Sequence, residues 1–418
     1  MQDILETLKT LNNMRRDDIE QWLVKQRKIA RPFVTSSVDL RHSGMRLAPV
    51  DTNVYPAGFN NLSPSGRLRA ARFFAEYFEE RFPHAKRLLI IPENHTRNMG
   101  YLENLAVLMS LIEKFGIEVE LGSLAAEAGQ PIELDTLSGR HLTEKPITRK
   151  ANRLVLEDGF DADVILLNND LTSGKPELLS DLSQPIIPPT CMGWWQRRKS
   201  VHFEAYRGLI ENFCKQFDMD PWWFAADFHR CGLVDFKESA GLDLIAKAVD
   251  KILIRAQQKH EEYGIQEAPY VFIKAESGTY GMGIMTAHSA DDVLQLNKKT
   301  RNKMNTVKEG AQVSEVIIQE GIATIDRIDG KPAEPMIYMV DGIPVGGMFR
   351  VNGERDAQNN LNAAGMEFKG MCDETEDPCG EYRHITDCHF RSFGTIAAIA
   401  ALAAAREDYN VGKDGAGI

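Results

Sequence analysis

The pattern of apolar and polar positions divides the first part of the chain into helices and paired strands. Apolar residues recur at helical spacing through residues 3–30, which predicts one or two amphipathic helices. Two runs of β-forming residues follow at 33–40 and 45–50, separated by a His-Ser-Gly turn. Polar and turn-forming residues then interrupt regular structure, and residues 66–82 again have a helical pattern.

A β-α-β unit is the clearest pattern in the next hundred residues. A buried strand at 87–92 precedes a helix at 101–115 and a second strand at 117–121, which predicts a parallel pair. A further strand at 163–167 also ends in polar residues. Ligand-binding residues of such units lie at the carboxyl ends of the strands. The candidates are Glu93, Asn94, Arg97 and Asn98 after the first strand and Asn168, Asn169 and Asp170 after the last.

The second half of the chain alternates helices with antiparallel strand signals. The predicted elements are helices at 202–213 and 242–263, a strand at 313–319, strands at 335–340 and 343–351 and an Ala-rich helix at 393–409. Asp341-Gly342 lies between the last two strands and is a dipeptide favoured in two-residue hairpin turns. The final residues, NVGKDGAGI, are expected to be disordered.

Residues 270–284, YVFIKAESGTYGMGI, combine a strand pattern with a lysine and three glycines. Glycine allows positive φ, so backbone N–H groups can converge on one point, and Lys274 adds a cation. This combination suits a phosphate chain, although a plain glycine-rich hairpin explains the residues equally well. The spacing matches neither the P-loop nor the GxGxxG pattern. The functional interpretation is therefore a hairpin-borne flap over a nucleotide.

The tripeptide Asp51-Thr52-Asn53 directly follows the second strand of the early pair. Residues two apart on a strand project from the same side, so the Asp51 carboxylate and the Asn53 amide oxygen could share a hard cation such as Mg²⁺. An Asx-rich turn before the next helix explains the same residues without a metal. The spacing alone favours that turn.

Three successive cationic residues, Arg197, Arg198 and Lys199, precede the helix predicted at 202–213. A helix N-terminus attracts anions, so these side chains could bind a phosphate there. A solvated basic turn explains the run equally well.

Length and composition describe a large globular chain with a negative charge. The 418 residues suggest two or three domains or lobes, and the contents of 43% hydrophobic and 26% charged residues are ordinary. The formal net charge of −11 argues against a nucleic-acid partner, whose phosphates need a basic face. The sequence contains no apolar run of the kind found in signal sequences or membrane spans, so we expect a cytoplasmic protein.

The six cysteines form no CxxC pair and are expected to be reduced thiols in a large cytosolic chain. Cys372, Cys379, His384, Cys388 and His389 lie close together in the sequence, which suggests zinc at first sight. Their spacings match no standard ligand pairing, so we favour the interpretation without zinc.

The order of the motifs resembles that of the ATP-grasp superfamily over residues 195–370. Lys199 comes first, Lys274 follows with its glycine loop, then Gln319-Glu320-Gly321, and the stretch VDGIPVGGMFRVN carries Arg350. The resemblance implies that the two lysines bind phosphates, that an acidic hinge binds adenine and that the arginine strand closes the site.

One departure from the usual ATP-grasp order is informative. Standard members carry a Glu-x-Asn metal motif after the arginine strand, and nothing after Arg350 has that form. Asp51-Thr52-Asn53, near the start of the chain, has a similar form with Asp in place of Glu. Asp is shorter by one methylene, so coordination of the metal could go through water. This order is similar to that of the circularly permuted ATP-grasp fold of eukaryotic glutathione synthetase. The resemblance therefore favours metal ligation by Asp51 and Asn53.

At the level of the whole chain, SSVDLR, APVDTNVYPAGFNNL, IKAESGTYGMGI and NNLNAAGMEFKGM resemble the compact proteobacterial family of glutamate–cysteine ligases. The implied fold is α/β, a circularly permuted ATP-grasp with an inserted parallel β-α-β substrate lobe. The implied organisation is N-terminal helices at 1–30, metal-motif strands at 31–65, the substrate lobe at 66–190, a helical segment at 191–269, the nucleotide-binding lobe at 270–370 and a C-terminal loop and helix at 371–418.

The resemblance also implies a reaction, the ATP-dependent joining of the γ-carboxylate of glutamate to the amine of cysteine through an acyl phosphate, as the first step of glutathione biosynthesis. ATP and Mg²⁺ are the implied cofactors, and glutamate, cysteine and ATP are the small-molecule partners. Neither a nucleic acid nor a membrane is expected, and the amphipathic N-terminal helices are compatible with a homodimer. No residue stands out as a general base for the cysteine amine.

The residue roles implied by the resemblance fall into four groups. Lys274 and Arg350 would act in catalysis. Nucleotide contacts would come from Lys199, Lys274, Gly278, Tyr280, Gly281, Gly283, Gln319, Glu320 and Asn352. The metal ligands would be Asp51, Asn53 and Glu276. Substrate groups would contact Arg41, Asn60, Arg97, Asn98, Asn168 and Asn169.

Two other functions stay open at this point. Glutathione synthetase or another ATP-grasp amino-acid ligase would share these motifs, because amino-acid specificity depends on the shape of the pocket. A non-catalytic nucleotide-binding protein would share the fold, although the presence of Lys274, Arg350 and Asp51 argues against it.

Overall fold

The computed structural model describes residues 3–94, 97–126, 129–278, 283–305, 313–371 and 389–407. Within these ranges the protein is a mixed α/β structure with three β-sheets. The helices are α1 (Ile4–Met14), α2 (Arg16–Ile29), α3 (Pro64–Arg81), α4 (Met99–Glu113), α5 (Lys199–Phe217), α6 (Leu242–Tyr263), α7 (Ala290–Leu294), α8 (Lys298–Asn305) and α9 (Phe390–Ala404).

The strands follow in chain order. They are β1 (Thr35–His42), β2 (Leu47–Asn53), β3 (Arg87–Pro92), β4 (Glu118–Ser123), β5 (Ile132–Asp135), β6 (His141–Lys150), β7 (Arg153–Leu156), β8 (Val164–Asn168), β9 (Ile186–Ile187), β10 (Phe228–Gly232), β11 (Val271–Ala275), β12 (Ile284–Ala287), β13 (Glu315–Glu320), β14 (Arg327–Ile328), β15 (Lys331–Val340), β16 (Ile343–Asn352) and β17 (Met366–Gly370).

The first sheet joins the two ends of the chain. Its order is β17-β16-β15-β1-β2, with β14 on β15, and its pairings are antiparallel. The register places Asp39 opposite Asp51 and Glu334 opposite Arg350, and directly opposite residues share one face of a sheet. Alternating apolar residues such as Leu40 point to the other face, where they pack in one core with the buried Ala-rich helix α9.

The second sheet contains the parallel β-α-β unit that the sequence predicts. Strands β3 and β4 are parallel, α4 lies between them in the chain, and β8 is parallel to β3 on its other side. The sheet order is β5-β6-β4-β3-β8-β9, with β7 on β6. Strands β5 to β7 are absent from the sequence prediction because segments such as HLTEKPITRK contain few apolar residues.

The third sheet is antiparallel, in the order β10-β13-β11-β12. Helix α6 packs its buried residues against this sheet. Strand β11 carries Lys274, and the register places Phe272 opposite Gln319 on the neighbouring strand. The strand pattern predicted before the glycine loop is therefore confirmed.

Several boundaries differ from the sequence prediction. Helix α5 begins at Lys199, three residues before the predicted start, and α9 spans Phe390–Ala404 rather than residues 393–409. Four of the residues considered for zinc and then not favoured, Cys372, Cys379, His384 and Cys388, lie outside the described ranges, as do the final residues. Cys191, Cys214 and Cys231 are buried, and none of them forms a disulfide within the described ranges. Among the described helices, none is both long and apolar enough to cross a membrane.

Candidate active site

A cavity of about 670 Å³ is lined by residues from all three sheets and from the loops between them. Twelve of the predicted site residues contribute to its wall, although they come from distant parts of the sequence. They are Arg41, Asp51, Asn53, Asn60, Glu93, Asn98, Asn168, Asp170, Lys199, Lys274, Gly278 and Arg350.

Lys199 and Lys274 form the cationic part of this cavity. Lys199 Nζ lies 2.7 Å from Asp51 Oδ1, and Lys274 Nζ donates to Gln319 Oε1 at 2.8 Å and to the Val50 carbonyl oxygen at 3.1 Å. Burial lowers the pKa of Lys274 to about 8, with Lys199 adding to the effect. Burial would raise the pKa of Asp51, but the two lysines lower it to about 2. Lys199 is thus paired directly with Asp51, whereas the hydrogen bonds of Lys274 go to neutral groups, so its charge can attract an anion.

Trp194 contacts both Lys199 and the start of the glycine loop. Lys199 Nζ lies 4.3 Å from the centre of the Trp194 ring, within the range of a cation–π interaction. A Cβ atom on Gly278 would lie 2.2 Å from the indole nitrogen, so a larger residue there would displace the ring. Gly283, after the loop, has a φ of +59°, which glycine adopts readily. Tyr280 and Gly281 lie outside the described residues.

The three cationic residues before and at the start of α5 face different surroundings. Arg197 is buried and donates two hydrogen bonds to Glu407. Arg198 Nε lies 2.9 Å from Glu315 Oε2. Of the three, only Lys199 lines the cavity. Helix α5 begins at Lys199, and this residue alone of the three contributes a cation to the cavity.

Arg350 and Arg41 share a buried carboxylate. Arg350 Nη1 donates to Asp39 Oδ2 at 2.7 Å and also to Glu334 Oε1. Arg41 Nε donates to Glu334 Oε2 at 2.7 Å. Burial would raise the pKa of Glu334, but the two arginines lower it below its ordinary value. We call Asp39, Arg41, Glu334 and Arg350 the arginine network.

The oxygen atoms near Asp51 suit a hard cation in their chemistry. Asp39, Asp51, Asn53 and Glu334 line the cavity from neighbouring strands, and carboxylate and amide oxygens are the ligands that Mg²⁺ prefers. Among the described residues, no group of three or more His, Cys, Asp or Glu side chains is arranged to hold a metal ion. Lys199 and Arg350 hold the carboxylates instead. The donor set fits Mg²⁺, and these side chains would have to move to bind it.

Glu276 does not line the cavity, which removes the structural support for its prediction as a third metal ligand. Its side chain is buried, and Oε1 accepts hydrogen bonds from the Ser200 N–H at 3.0 Å and from the Ser200 hydroxyl. Burial raises the pKa of Glu276. The residue is thus a cap for the first turn of α5 rather than a solvated residue on the rim of the flap.

The predicted adenine hinge borders a second cavity of about 460 Å³. Gly321, Ile322 and Ala323 line this cavity. The Glu320 carboxylate accepts hydrogen bonds from Arg46 at 2.6 and 2.9 Å, and the N–H groups of Glu320 and Gly321 donate to carbonyl oxygens at 2.8 and 2.7 Å. Contacts to an adenine edge would therefore come from residues 321–323 and not from the Glu320 side chain.

Asn168 connects the parallel sheet to the loop after β2. Its Nδ2 donates to the Pro56 carbonyl oxygen at 3.0 Å, and its Oδ1 accepts from Asn104 Nδ2 at 3.2 Å. Asn98 Oδ1 accepts the Tyr101 N–H at 3.2 Å and so caps α4. Both asparagines line the cavity, and the hydrogen bonds of their side chains also hold the elements on which they lie.

Three further predicted residues, Asn169, Arg97 and Asn352, are not among the residues that line the cavity. Asn169 Nδ2 binds the Pro92 carbonyl oxygen at 3.0 Å, and Arg97 is exposed. Asn352 is fully buried, and its Nδ2 donates to carbonyl oxygens of the loop at Leu361 and Ala364, both at 3.2 Å. That loop supplies Asn360 and Asn362 to the cavity wall.

Asp39, Glu334 and Trp194 line the cavity although the sequence patterns do not single them out. Asp39 lies inside the strand predicted at 33–40, and Glu334 directly precedes the strand predicted at 335–340. A charged residue within or beside a buried apolar strand is unusual unless it is paired. This was the available signal, and the partners are too far away in the sequence to be recognised from it.

Comparison with known proteins assigns a family to this arrangement. Residues 9–408 match the family model described as glutamate-cysteine ligase. A crystal structure of a protein from Methylobacillus flagellatus KT, assigned as a gamma-glutamylcysteine synthetase, shares 43% sequence identity with a TM-score of 0.87, and the match covers 97% of this chain and 96% of that chain. No curated protein sequence matches this chain.

Two other solved structures are much less similar. A glutathione synthetase-like effector from Globodera pallida shares 11% identity over 88% of this chain and 84% of that chain, with a TM-score of 0.41. D-alanyl-alanine synthetase A from Vibrio cholerae O1 shares 9% over 74% and 78%, with a TM-score of 0.30. Neither carries a conclusion at these scores. The family model and the Methylobacillus structure span nearly the whole chain, and the protein belongs to the glutamate–cysteine ligase family.

Proposed function

We propose that this glutamate–cysteine ligase transfers the γ-phosphoryl group of ATP to the γ-carboxylate of glutamate and then joins the resulting acyl phosphate to the amine of cysteine. The observation that carries the proposal is the charge distribution of one cavity. Lys199 and Lys274 face a single carboxylate, and Arg350 lines the same cavity. Such a site can bind phosphates and a substrate carboxylate side by side.

The chemistry explains why cations are needed. A glutamate γ-carboxylate oxygen attacks the γ-phosphorus of ATP, and ADP leaves. The cysteine nitrogen then attacks the activated carbonyl carbon, and the bond between that carbon and the bridging oxygen breaks. Phosphate leaves with this oxygen of glutamate, and the amine loses a proton. Direct condensation would have to expel oxide. Both steps depend on alignment and on compensation of negative charge more than on a covalent protein group.

Lys199 and Lys274 are proposed to hold the transferred phosphates. Lys274 is buried, and desolvation strengthens its interaction with an anion. Asp51 orients Lys199 through a contact of 2.7 Å. The glycine-rich residues 278–283 come shortly after β11 in the sequence, which supports the proposal that they cover the phosphates.

Arg350 is proposed to stabilise the negative charge of the acyl phosphate and of the tetrahedral adduct. Its Nη1 is held by Asp39 and Glu334, and the residue lines the cavity. A guanidinium fixed in position before substrate binds suits a developing oxyanion. Arg41 and the cavity-lining asparagines Asn60, Asn98 and Asn168 are proposed to contact the amino-acid groups.

Asp51 and Asn53 are the proposed magnesium ligands, with Asp39 or Glu334 as an additional donor in place of Glu276. When bound, Mg²⁺ would neutralise phosphate charge. Asp51 has a pKa of about 2, so it is ionised and available as a ligand at neutral pH. Its change of partner from Lys199 to the cation would release Lys199 for a phosphate oxygen.

The sheet topology supports the finer assignment of a circularly permuted ATP-grasp fold. Strand β2 carries Asp51 near the start of the chain, and β16 carries Arg350 near its end, yet both strands belong to one antiparallel sheet. The second cavity, beside Gly321, is the proposed adenine pocket. The domain boundaries, the cytoplasmic location and the homodimer stay predictions.

Oxygen transfer tests the acyl phosphate directly. The enzyme is incubated with ATP, Mg²⁺, cysteine and glutamate labelled with ¹⁸O in the γ-carboxylate. We expect one ¹⁸O atom in each phosphate released. Unlabelled phosphate, with dipeptide formed at the normal rate, would exclude the acyl phosphate.

The choice of substrates is tested in parallel by coupled measurement of ADP. Glutamate with cysteine should support turnover, and γ-glutamylcysteine with glycine should not. The reverse result would assign the cavity to glutathione synthesis. Tight ATP binding without turnover in either mixture would instead indicate a non-catalytic nucleotide-binding protein.

A further inference from the structure

Arg197 joins distant parts of the chain in the protein interior. Its Nε and Nη2 donate to the two carboxylate oxygens of Glu407 at 2.8 and 2.7 Å, and its Nη1 donates to the Thr52 carbonyl oxygen at 2.6 Å. The two charged side chains are 1% and 0% exposed. Glu407 follows α9, whereas Thr52 lies in β2. A planar guanidinium can direct donors to both partners at once.

The carbonyl group that Arg197 holds lies in the predicted metal motif. Thr52 separates Asp51 from Asn53, so its peptide group connects the two proposed ligands. In the register of β1 and β2, Asp51 is opposite Asp39 and Asn53 is opposite Ser37. Fixing the Thr52 carbonyl therefore limits how far this end of β2 can move or rotate, and with it the two ligand side chains.

The same guanidinium supports the phosphate-binding side of the cavity. Arg197 Cζ lies 4.8 Å from the centre of the Trp194 ring, and Lys199 Nζ lies 4.3 Å from that centre. The ring also fills the space beside Gly278. Arg197 is thus in contact with the residue that positions both Lys199 and the start of the glycine loop.

The ion pair of Arg197 and Glu407 differs from ordinary surface pairs because both side chains are fully buried. Burial would raise the pKa of Glu407, but Arg197 and His202 keep it below its ordinary value. Removing one partner of a buried pair leaves a charge without compensation. A buried ion pair is weak evidence for stability, because an apolar pair of similar size is often as stable. The hydrogen bond from Arg197 to the Thr52 carbonyl oxygen, inside the proposed metal motif, therefore calls for a functional explanation.

We propose that Arg197 and Glu407 are positioning residues for the metal site, so that Glu407, three residues after α9, supports the active site although it does not line the cavity. The inference rests on the proposed assignment of Asp51 and Asn53 as metal ligands. Neither Arg197 nor Glu407 touches substrate in this proposal. They act by fixing the peptide group between the two ligands.

The main test is Glu407→Gln in the full-length enzyme, with binding of Mn²⁺ as a probe for Mg²⁺. Free Mn²⁺ is measured by electron paramagnetic resonance in the presence of ADP, without turnover. We expect the Mn²⁺ dissociation constant to rise about 10-fold. The Mg²⁺ concentration for half-maximal ADP formation should rise by a similar factor, while the KM for glutamate stays within about twofold.

A matched control is available beside this pair. Arg198 binds Glu315 in a partly exposed ion pair, and Glu315 does not line the cavity. Glu315→Gln removes a comparable partner from the neighbouring residue and should leave Mn²⁺ binding unchanged. Equal shifts in both variants would mean that any ion pair near α5 has this effect, which would overturn the proposal.

Arg197→Lys decides the outcome if Glu407→Gln does not fold. Lysine keeps the positive charge beside Glu407 but lacks the planar fork that also reaches the Thr52 carbonyl. We expect a folded variant with Mn²⁺ affinity about 10-fold weaker. Wild-type affinity in this folded variant would refute the positioning role.

Asp51→Asn separates this inference from the function on which it rests. One outcome is that Asp51→Asn weakens Mn²⁺ binding, whereas Glu407→Gln and Arg197→Lys leave it unchanged. The proposed metal site is then supported, and the positioning role is refuted. If Asp51→Asn also leaves Mn²⁺ binding unchanged, the proposed metal site itself is wrong.

Discussion

The arginine network and the lysine side of the cavity lie in the same site but differ in charge balance. In the network, Arg41 and Arg350 face Asp39 and Glu334, so two cations meet two buried or nearly buried carboxylates. On the lysine side, Lys199 and Lys274 share Asp51. The arginine network is therefore neutral by its own side chains, whereas the lysine side has one positive charge more than its carboxylate offsets.

The difference indicates what each region contributes. A neutral buried network is costly to break, because each removed partner exposes another buried charge to an apolar environment. A buried cation without full compensation is costly to keep, and the pKa of Lys274, lowered to about 8, records that cost. We therefore expect variants of the network to affect folding and variants on the lysine side to affect turnover.

The largest effect is expected from Glu334→Gln, which breaks the network at its centre. Glu334 holds both arginines, so the amide would leave two buried guanidinium groups with a single carboxylate. We expect a loss of about 3–5 kcal/mol in the free energy of unfolding, measured by urea denaturation without Mg²⁺ or nucleotide.

Glu367→Gln is the control in the same sheet. Glu367 forms an ion pair with Lys331 in which both side chains are well exposed, 40% and 46%. Such pairs contribute about 0–1 kcal/mol. A similar loss in both variants would remove the distinction between the buried network and an ordinary surface pair.

Lys274→Ala tests the other region and should have the next largest effect. We expect ADP formation to fall at least about 100-fold, or about 3 kcal/mol in transition-state stabilisation, because the phosphates lose a desolvated cation. The free energy of unfolding should stay within about 1 kcal/mol of the wild type. Near-normal ADP formation in a folded variant would reject the phosphate role, and Lys331→Ala serves as the control.

Asp51→Asn examines the single carboxylate on the lysine side. The amide keeps the shape of the side chain but gives Lys199 a weaker partner and a cation a poorer ligand. We expect the Mg²⁺ concentration for half-maximal activity to rise about 10-fold. The free energy of unfolding should fall by about 1–2 kcal/mol, because Lys199 loses its charged partner and the Asp51 side chain is partly exposed. An unchanged Mg²⁺ titration would return Asp51-Thr52-Asn53 to its interpretation as a turn.

Local patterns were sufficient to predict much of the fold. Alternation along a strand predicted that Asp51 and Asn53 lie on one side, and both line the cavity. Strand and helix periodicity predicted the parallel pair of β3 and β4. Asp341-Gly342 predicted the hairpin of β15 and β16, whose turn residues have φ of +50° and +67°. Each of these features depends on residues close together in the sequence.

The charge pairing in the cavity depends on distant residues and was not predicted. Arg41 and Glu334 meet because β1 pairs with β15, nearly 300 residues further along the chain. The local sequence around Arg197, Arg198 and Lys199 does not show which cation reaches the cavity. That choice follows from the first residue of α5 and from Glu407 and Glu315, which hold the two arginines.

The smallest predicted effect concerns a carboxylate that has cations nearby but forms no ion pair with any residue that the structure describes. Burial raises the pKa of Asp341 to about 6, although Arg81 and Arg27 act in the opposite direction. Arg27 donates to the Gly342 carbonyl oxygen at 3.4 Å. In Asp51, by contrast, a lysine contact of 2.7 Å produces a pKa of about 2. Direct contact, rather than the number of nearby cations, thus separates the two aspartates.

Asp341→Asn should therefore stabilise the protein at pH 8. The folded-state pKa lies above the ordinary value of 3.8, so the folded state gains stability as pH falls from about 6 towards 4 and bears the full cost of the buried charge above pH 6. This shift corresponds to at most about 3 kcal/mol, and we expect about 1–2 kcal/mol because the turn is partly open to water. Urea unfolding at pH 8 and pH 4 should show the advantage of the variant shrinking at the lower pH.

Asp329→Asn provides the matched control for this last comparison. Asp329-Gly330 forms the same kind of turn, with φ of +51° and +76°, between β14 and β15, and Asp329 is exposed. Both substitutions create an Asn-Gly turn, which suits positive φ at both positions. Only Asp341→Asn should show a pH-dependent gain. An equal, pH-independent gain in both variants would assign the effect to turn conformation and leave no contribution from the buried charge.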